Sequence, residues 1–181
     1  PSHLETFDPK PLLNELAEEK NTAYERHLVL PAYNNDREYL EERFPDVHFH
    51  MLEIRSRAVS DRQTPVLKAI RYFEFVRLAE RAAKSVDADL YVAHDATALL
   101  PAMWASAADR TPVLYRAHEL FSEAGREISP LLGLWKRLEK RYVRKCASII
   151  VPEIHRAQIY RDEYGARELP AVVRNIPPVR S

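Results

Sequence analysis

The sequence predicts an α/β fold, a Rossmann-like doubly wound parallel sheet, and three features of its 181 residues predict it. Short apolar runs alternate with longer segments whose apolar residues recur every three or four positions, the spacing of an amphipathic helix. Start signals precede several of these longer segments. Because a helix between two strands returns the chain to the same end of the sheet, the strands are expected to run parallel, with helices on both faces.

Six short segments have the composition of β-strands, with Val, Ile, Leu and Tyr enriched. The run SIIVP is continuously apolar, which fits a strand buried on both faces of a parallel sheet. The run VHFHMLEI alternates instead and predicts an edge strand, so we interpret His48 and His50 as exposed edge residues rather than metal ligands. The predicted strands are residues 27–33, 47–54, 89–94, 112–117, 148–152 and 171–174.

The segments around these strands have helical spacing. Three of them open with a capping side chain followed by proline, at Asp8–Pro9, Thr64–Pro65 and Ser129–Pro130. Proline suits the first helical position because its missing N–H would have no intrahelical partner there. One apolar stripe contains Val66, Ile70, Phe73, Val76 and Ala79, and a second contains Leu131, Trp135, Leu138, Tyr142 and Cys146.

Composition excludes several classes of function. The chain has 27 Lys and Arg against 27 Asp and Glu, so no overall charge attracts nucleic acid. Its single cysteine, Cys146, excludes an internal disulfide and a cysteine zinc knuckle, and we predict an inert core thiol. The three glycines, Gly125, Gly133 and Gly165, allow neither G-x-G-x-x-G nor a Walker loop. No signal peptide or long apolar run is present, which indicates a cytoplasmic protein.

Two successive predicted strands end in a histidine followed by an acid, at His94–Asp95 and His118–Glu119. In a parallel sheet both pairs lie at the carboxyl edge, where ligands bind. An imidazole there can transfer a proton, position a hydroxyl or ligate a metal, and a carboxylate can fix its tautomer. Capping of the next helix by Asp95 or Thr97 explains the first pair equally well. The second pair precedes a loop, where no cap requires histidine, so a functional role is favoured.

Metal binding by these two pairs would require four side chains to converge. Adjacent strand residues point to opposite faces, so convergence requires a bend at both sites, and we assign no metal.

One helix, LWKRLEKRYVRKC, carries six basic residues and a single acid, Glu139. These basic residues most simply form a solvated helix face. The more specific interpretation is a patch that binds anionic lipid headgroups. The residues assigned to the patch are Arg137, Lys140, Arg141 and Arg144.

Several segments together resemble the amino-terminal half of bacterial glycosyltransferases of family 4, retaining enzymes with the two-domain GT-B fold. They are DPKPLLNELAEEK, ADLYVAHD, TPVLYRAHELFSE, RLEKRYVRKCASIIVP, and YG followed by AVVRNIPP, so the resemblance extends from Asp8 to Pro178. It implies transfer of a sugar from a nucleotide-sugar to an acceptor hydroxyl, without a cofactor or an obligatory metal. In this family the amino-terminal domain holds the acceptor, and the carboxyl-terminal domain holds the donor with glycine-rich and paired-glutamate motifs.

The resemblance also implies roles for individual residues. His118 matches the strand-end histidine that faces the interdomain cleft and is the catalytic candidate. Residues 1–174 then form the acceptor-binding domain, and residues 175–181 begin the interdomain linker. The family's first strand is missing or reduced to PSHLETF. The acceptor-binding candidates are His94, Asp95, Glu119 and Glu123, and the hinge candidates are Asn175 and Pro177.

The expected function is therefore the acceptor-binding half of a glycosyltransferase of the hexosyl type. Its expected partners are a nucleotide-sugar bound mainly by a carboxyl-terminal domain absent from this sequence, a glycan or lipid-linked acceptor, and the anionic inner membrane face. The chain alone is expected to be inactive. Two alternatives remain: a metal-dependent hydrolase that uses the His–acid pairs, and a non-catalytic α/β binding module.

Overall fold

A computed structural model describes residues 25–32, 37–56, 64–118 and 130–174, with only the backbone described for residues 130–135. The predicted first helix, with its Asp8–Pro9 start, lies outside these residues. Contacts within the chain divide it into two compact units, residues 1–82 and residues 83–181. Each unit is described by itself.

The first unit contains a strand, a helix and a strand: β1 (Arg26–Pro31), α1 (Arg37–Arg43) and β2 (Val47–Leu52). The strands pair in parallel, with His27 opposite His48. Val47 and Phe49 are buried while His48 is exposed, so the predicted alternation holds over residues 47–49. His50 is half-buried rather than exposed as predicted. Leu30 of β1, Leu40 of α1 and these two β2 residues form the core of the unit.

A long helix, α2 (Pro65–Lys84), begins at the predicted signal. The N–H of Leu67 donates to Thr64 Oγ1 at 3.4 Å, so Thr64 caps the helix. The apolar stripe of α2 is buried only at Val76 and Ala79, in its carboxyl-terminal half. Apolar spacing identifies a helix face, whereas burial requires another element to cover that face. The exposed members of the stripe are Val66, Ile70 and Phe73.

The second unit contains a four-stranded sheet in the order β3-β4-β5-β6, with all strands parallel. Buried and half-buried side chains alternate along the strand Val113–Arg116, where Val113 and Tyr115 are the buried ones. A helix follows each of the first three strands of this sheet and precedes the next strand. The elements are β3 (Tyr91–His94), α3 (Asp95–Asp109), β4 (Val113–Arg116), α4 (Pro130–Val143), β5 (Ser148–Val151), α5 (Ile154–Asp162) and β6 (Ala171–Val172).

A buried carboxyl group joins α4 to the sheet. Glu139 is 2% exposed, and its Oε1 accepts hydrogen bonds from the hydroxyls of Tyr115 at 2.7 Å and Tyr160 at 2.5 Å. Burial raises the pKa of Glu139, and the two hydrogen bonds oppose that rise by favouring the carboxylate. The group therefore links β4, α4 and α5 through one oxygen atom.

Cys146 follows α4 and belongs to the core of the second unit. Burial raises the pKa of its thiol to about 12, so the thiolate does not form near neutral pH. The prediction of an inert core thiol is confirmed.

The chain after α5 turns at Gly165, whose φ of +71° lies in the left-handed region. A Cβ atom there would lie 2.8 Å from Arg144 Nε, which donates to the carbonyl of Tyr164 at 3.2 Å. The backbone angle therefore favours glycine, whereas the guanidinium belongs to a flexible side chain that can shift.

The α/β class, the six strands and their parallel direction are confirmed. The described strands form two sheets rather than the single sheet that was expected, because β1 pairs with β2 and β3 pairs with β4. Local patterns identify a strand but do not specify its neighbours. Across the residues described, no helix combines the length and the apolar character needed to cross a membrane.

Candidate functional site

The carboxyl ends of β3 and β4 bring the two predicted histidines together. His94 is the last residue of β3 and lies opposite Arg116 in the register, and His118 follows β4 by two residues. Their rings stack with centroids 5.7 Å apart and planes inclined by 11°. His94 Nδ1 lies 3.4 Å from His118 Nε2, so one nitrogen can donate and the other accept.

Two charged side chains hold the backbone of His118. Asp95 Oδ1 accepts a hydrogen bond from the His118 N–H at 2.8 Å, and the Arg156 guanidinium donates to the His118 carbonyl. The preceding N–H, of Ala117, donates to the carbonyl of Ile150 at 2.9 Å and extends the pairing of β4 with β5. The peptide groups on both sides of the imidazole are therefore fixed.

Asp95 adopts a left-handed backbone conformation, with φ of 60°. This conformation costs about 1–2 kcal/mol for a residue other than glycine, and aspartate tolerates it better than most. His94 occupies the N-cap position of α3 and makes no side-chain capping hydrogen bond. The strained turn directs the Asp95 carboxylate towards the neighbouring strand end, where it meets the His118 N–H.

The surroundings keep His94 uncharged. Burial, followed by the positive charge of Arg116 and the neighbouring His118, lowers the pKa of His94 to about 3. His94 is therefore a neutral imidazole at physiological pH. Its hydrogen bond to His118 then couples the tautomers of the two rings.

A shallow depression adjoins His118. One wall is residues 116–118 of the β4 end, and the other is residues 150–152 of the β5 end together with Val173. The depression therefore has an apolar side and a side with an imidazole and a guanidinium, and its volume of about 10 Å³ has room for about one water molecule.

The remaining predicted site residues divide into two groups. Glu119, Glu123, Asn175 and Pro177 lie outside the described residues. Two of the four residues of the basic patch also contact Tyr164. The ammonium of Lys140 lies 5.6 Å from the ring centroid of Tyr164, and Arg144 donates to its carbonyl. Arg137, Arg141 and Arg144 are exposed, and Lys140 is half-buried.

In the described part of the chain, the two His–acid pairs do not belong to a cluster of three or more side chains that could hold a metal ion. The one group of three clustered ligand side chains in that part is Glu25, His27 and His48, in the first unit. Among the described residues, no group of three clustered ligand side chains lies at the ends of β3 and β4.

Sequence reasoning missed Arg156 and the Glu139 network. One signal for Arg156 was available, since it lies in the first turn of α5, where the helix dipole disfavours a cation. A cation at that position indicates partners that compensate for the dipole. They are the Glu153 carboxylate, which lies 2.9 Å from Arg156 Nε, and the His118 carbonyl. Glu139 was recognised only as the single acid among the basic residues of its helix.

The sequence profile described as Glycosyltransferase Family 4 matches residues 12–177. The chain belongs to glycosyltransferase family 4. No curated protein matches it. The family match includes both histidines of the site, Asp95 and Arg156, so these residues belong to a glycosyltransferase domain with a Rossmann-like α/β fold.

Proposed function

We propose that this glycosyltransferase domain is the acceptor-binding half of a retaining enzyme of the hexosyl type. The enzyme transfers a sugar from a nucleotide-sugar to a hydroxyl group of a lipid-linked or polysaccharide acceptor. The observation that carries the proposal is the stacked pair His94 and His118 at the carboxyl edge of a parallel sheet. Ligands of open α/β sheets bind at this edge.

In this proposal His118 is the catalytic residue and orients the reacting sugar. An imidazole positions a hydroxyl accurately only when its own backbone is fixed, and the hydrogen bonds with Asp95 and Arg156 fix it. The neutral His94 ring can accept or donate one hydrogen bond, so its tautomer and that of His118 are coupled. Asp95, Glu119 and Glu123 complete the acceptor side of the site.

The nucleotide-sugar is proposed to bind mainly to a second domain. Three glycines in 181 residues cannot form a glycine-built cradle for the donor diphosphate. Asn175 and Pro177 would then form the hinge along which the two domains close. Closure excludes water, so that the acceptor hydroxyl rather than solvent reacts with the sugar. No cofactor is required for this chemistry.

A membrane contact is proposed for the exposed part of α4, which would place the enzyme on the inner face of the cytoplasmic membrane. Arg137 and Arg141 lie one helical turn apart and are both exposed. Changing both to Gln should weaken binding to vesicles with anionic lipid by at least ~10-fold, because each basic residue near such a surface contributes about 1 kcal/mol. The matched variant changes Arg161 and Arg167, two exposed basic residues outside α4. Equal loss in both double variants would contradict the contact.

The proposed function is tested by His118→Ala in the enzyme that contains this chain. Turnover should fall by at least ~10²-fold, which is the effect of losing a positioned polar group. The control is His155→Ala, because His155 is an exposed residue of α5. Steady-state rates with a panel of nucleotide-hexoses provide the measurement, and the chain alone should show no turnover. Unchanged turnover in His118→Ala, or turnover by the chain alone, would overturn the proposal.

A further inference from the structure

Three histidines share one face of the β1–β2 pair in the first unit. His27 of β1 lies opposite His48 of β2, and Val29 lies opposite His50, so the parallel register places the three rings together. The ring centroid of His27 lies 4.8 Å from that of His48 and 5.3 Å from that of His50. The alternation of β2 accounts for this arrangement, because it directs His48 and His50 away from the buried Phe49.

A carboxylate lies against the same group. Glu25 Oε1 is 3.2 Å from His27 Nε2 and 3.4 Å from His48 Nε2. The ligand atoms of these three side chains all lie within 4.8 Å of one another. Ligand atoms around a tetrahedral zinc ion lie about 3.3–3.5 Å apart, since the zinc bonds are about 2.0–2.2 Å long. Both distances from Glu25 are close to that spacing.

A third histidine orients one of the ligands. His50 Nε2 lies 3.0 Å from His27 Nδ1. The contact between His27 Nε2 and Glu25 Oε1 is a hydrogen bond in the tautomer that carries its proton on Nε2. In the tautomer in which Nδ1–H donates to His50, the lone pair of Nε2 faces Glu25 Oε1, so both atoms can bind one cation. Histidine ligands of metals are usually oriented by a hydrogen bond from the other ring nitrogen.

We propose that Glu25, His27 and His48 form a binding site for a divalent transition metal, with His50 as the residue that positions His27. Two imidazoles and one carboxylate leave a fourth position for water, a donor set that suits Zn²⁺ and excludes tight binding of Mg²⁺ or Ca²⁺. The side chains of His48 and Glu25 are 62% and 71% exposed, so the ion can reach them from solvent. A bound ion would join the two strands of the first unit.

The test is a calorimetric titration of Zn²⁺ into the full chain near neutral pH, after removal of any histidine tag. The structure predicts one equivalent of Zn²⁺ bound. His48→Gln should weaken the affinity by at least ~10-fold through loss of a ligand, and His50→Gln by about 10–100-fold through loss of orientation. Bound Co²⁺ should show the intense visible absorption of a four-coordinate site. Because His48 is exposed, the fold tolerates its replacement.

Matched variants separate this site from the rest of the molecule. His155→Gln and His118→Gln remove histidines outside the cluster and should leave the affinity for Zn²⁺ unchanged. Equal Zn²⁺ binding by the wild type and His48→Gln, or loss of binding in His118→Gln, would overturn the proposal. This test measures metal binding alone, so its failure would leave the proposed glycosyl transfer unaffected.

Discussion

Two groups of histidines lie on parallel strand pairs of this chain, and their surroundings differ. The pair in the second unit, His94 and His118, lies at strand ends, and burial lowers the pKa of His94 to about 3. The group in the first unit lies along its strands, where the side chain of His48 is 62% exposed and faces a carboxylate. Residue type is the same in both places, so the surroundings decide the chemistry.

This comparison indicates that the surroundings of an imidazole decide whether it suits positioning a hydroxyl group or binding a metal ion. Desolvation and a neighbouring guanidinium keep His94 neutral, which suits positioning of a hydroxyl group. At His27 and His48, exposure to solvent and the nearby Glu25 carboxylate suit the proposed binding of a metal ion instead. The first use requires a rigid backbone, and the structure fixes that of His118 at both its N–H and its carbonyl.

Removal of the buried carboxyl group of the second unit should have the largest effect on stability. Glu139→Ala leaves the hydroxyls of Tyr115 and Tyr160 without their acceptor, and each such buried group costs about 1–3 kcal/mol. We expect a loss of about 2–4 kcal/mol in the free energy of unfolding, measured by urea denaturation with circular dichroism. A loss within the range of a surface substitution would show that this network does not stabilise the second unit.

The same carboxyl group predicts a pH dependence. Because burial raises the pKa of Glu139, the folded chain binds its proton more tightly than the unfolded chain does. Its contribution is therefore fully present below the ordinary carboxyl pKa of 4.5 and is lost as pH rises through the folded pKa. Glu139→Gln retains an acceptor for the tyrosines and lacks this titration. The difference in unfolding free energy between wild type and Glu139→Gln should change with pH, and a constant difference would contradict the assignment.

Removal of the contact between the two strand ends should have a smaller effect. Asp95→Ala removes the acceptor of the His118 N–H and places alanine in a left-handed conformation, for an expected loss of about 1–3 kcal/mol. Asp95→Asn keeps an acceptor oxygen and a residue that tolerates this conformation, so it should lose less than half as much. Urea denaturation of both variants makes the comparison. Equal losses would show that the hydrogen bond is not what stabilises this turn.

Local sequence patterns were sufficient for the strands and the Thr64 cap. The juxtaposition of His94 and His118 also followed, because parallel strands end at the same edge of a sheet. Other contacts between distant residues were not predictable. Arg156 is 38 residues from the carbonyl that it binds, and Glu139 is 24 residues from Tyr115. The cluster around His27 likewise depends on which strands pair and in which register, and no local pattern specifies either.

The most direct test of the central claim is a measurement of the protonation of His94 by imidazole nitrogen NMR. A buried neutral ring beside His118 predicts that the His94 nitrogens keep the shifts of one neutral tautomer from about pH 8 down to about pH 5, with His94→Gln used to assign the signals. Conversion of His94 to the doubly protonated imidazolium within that range would contradict the account.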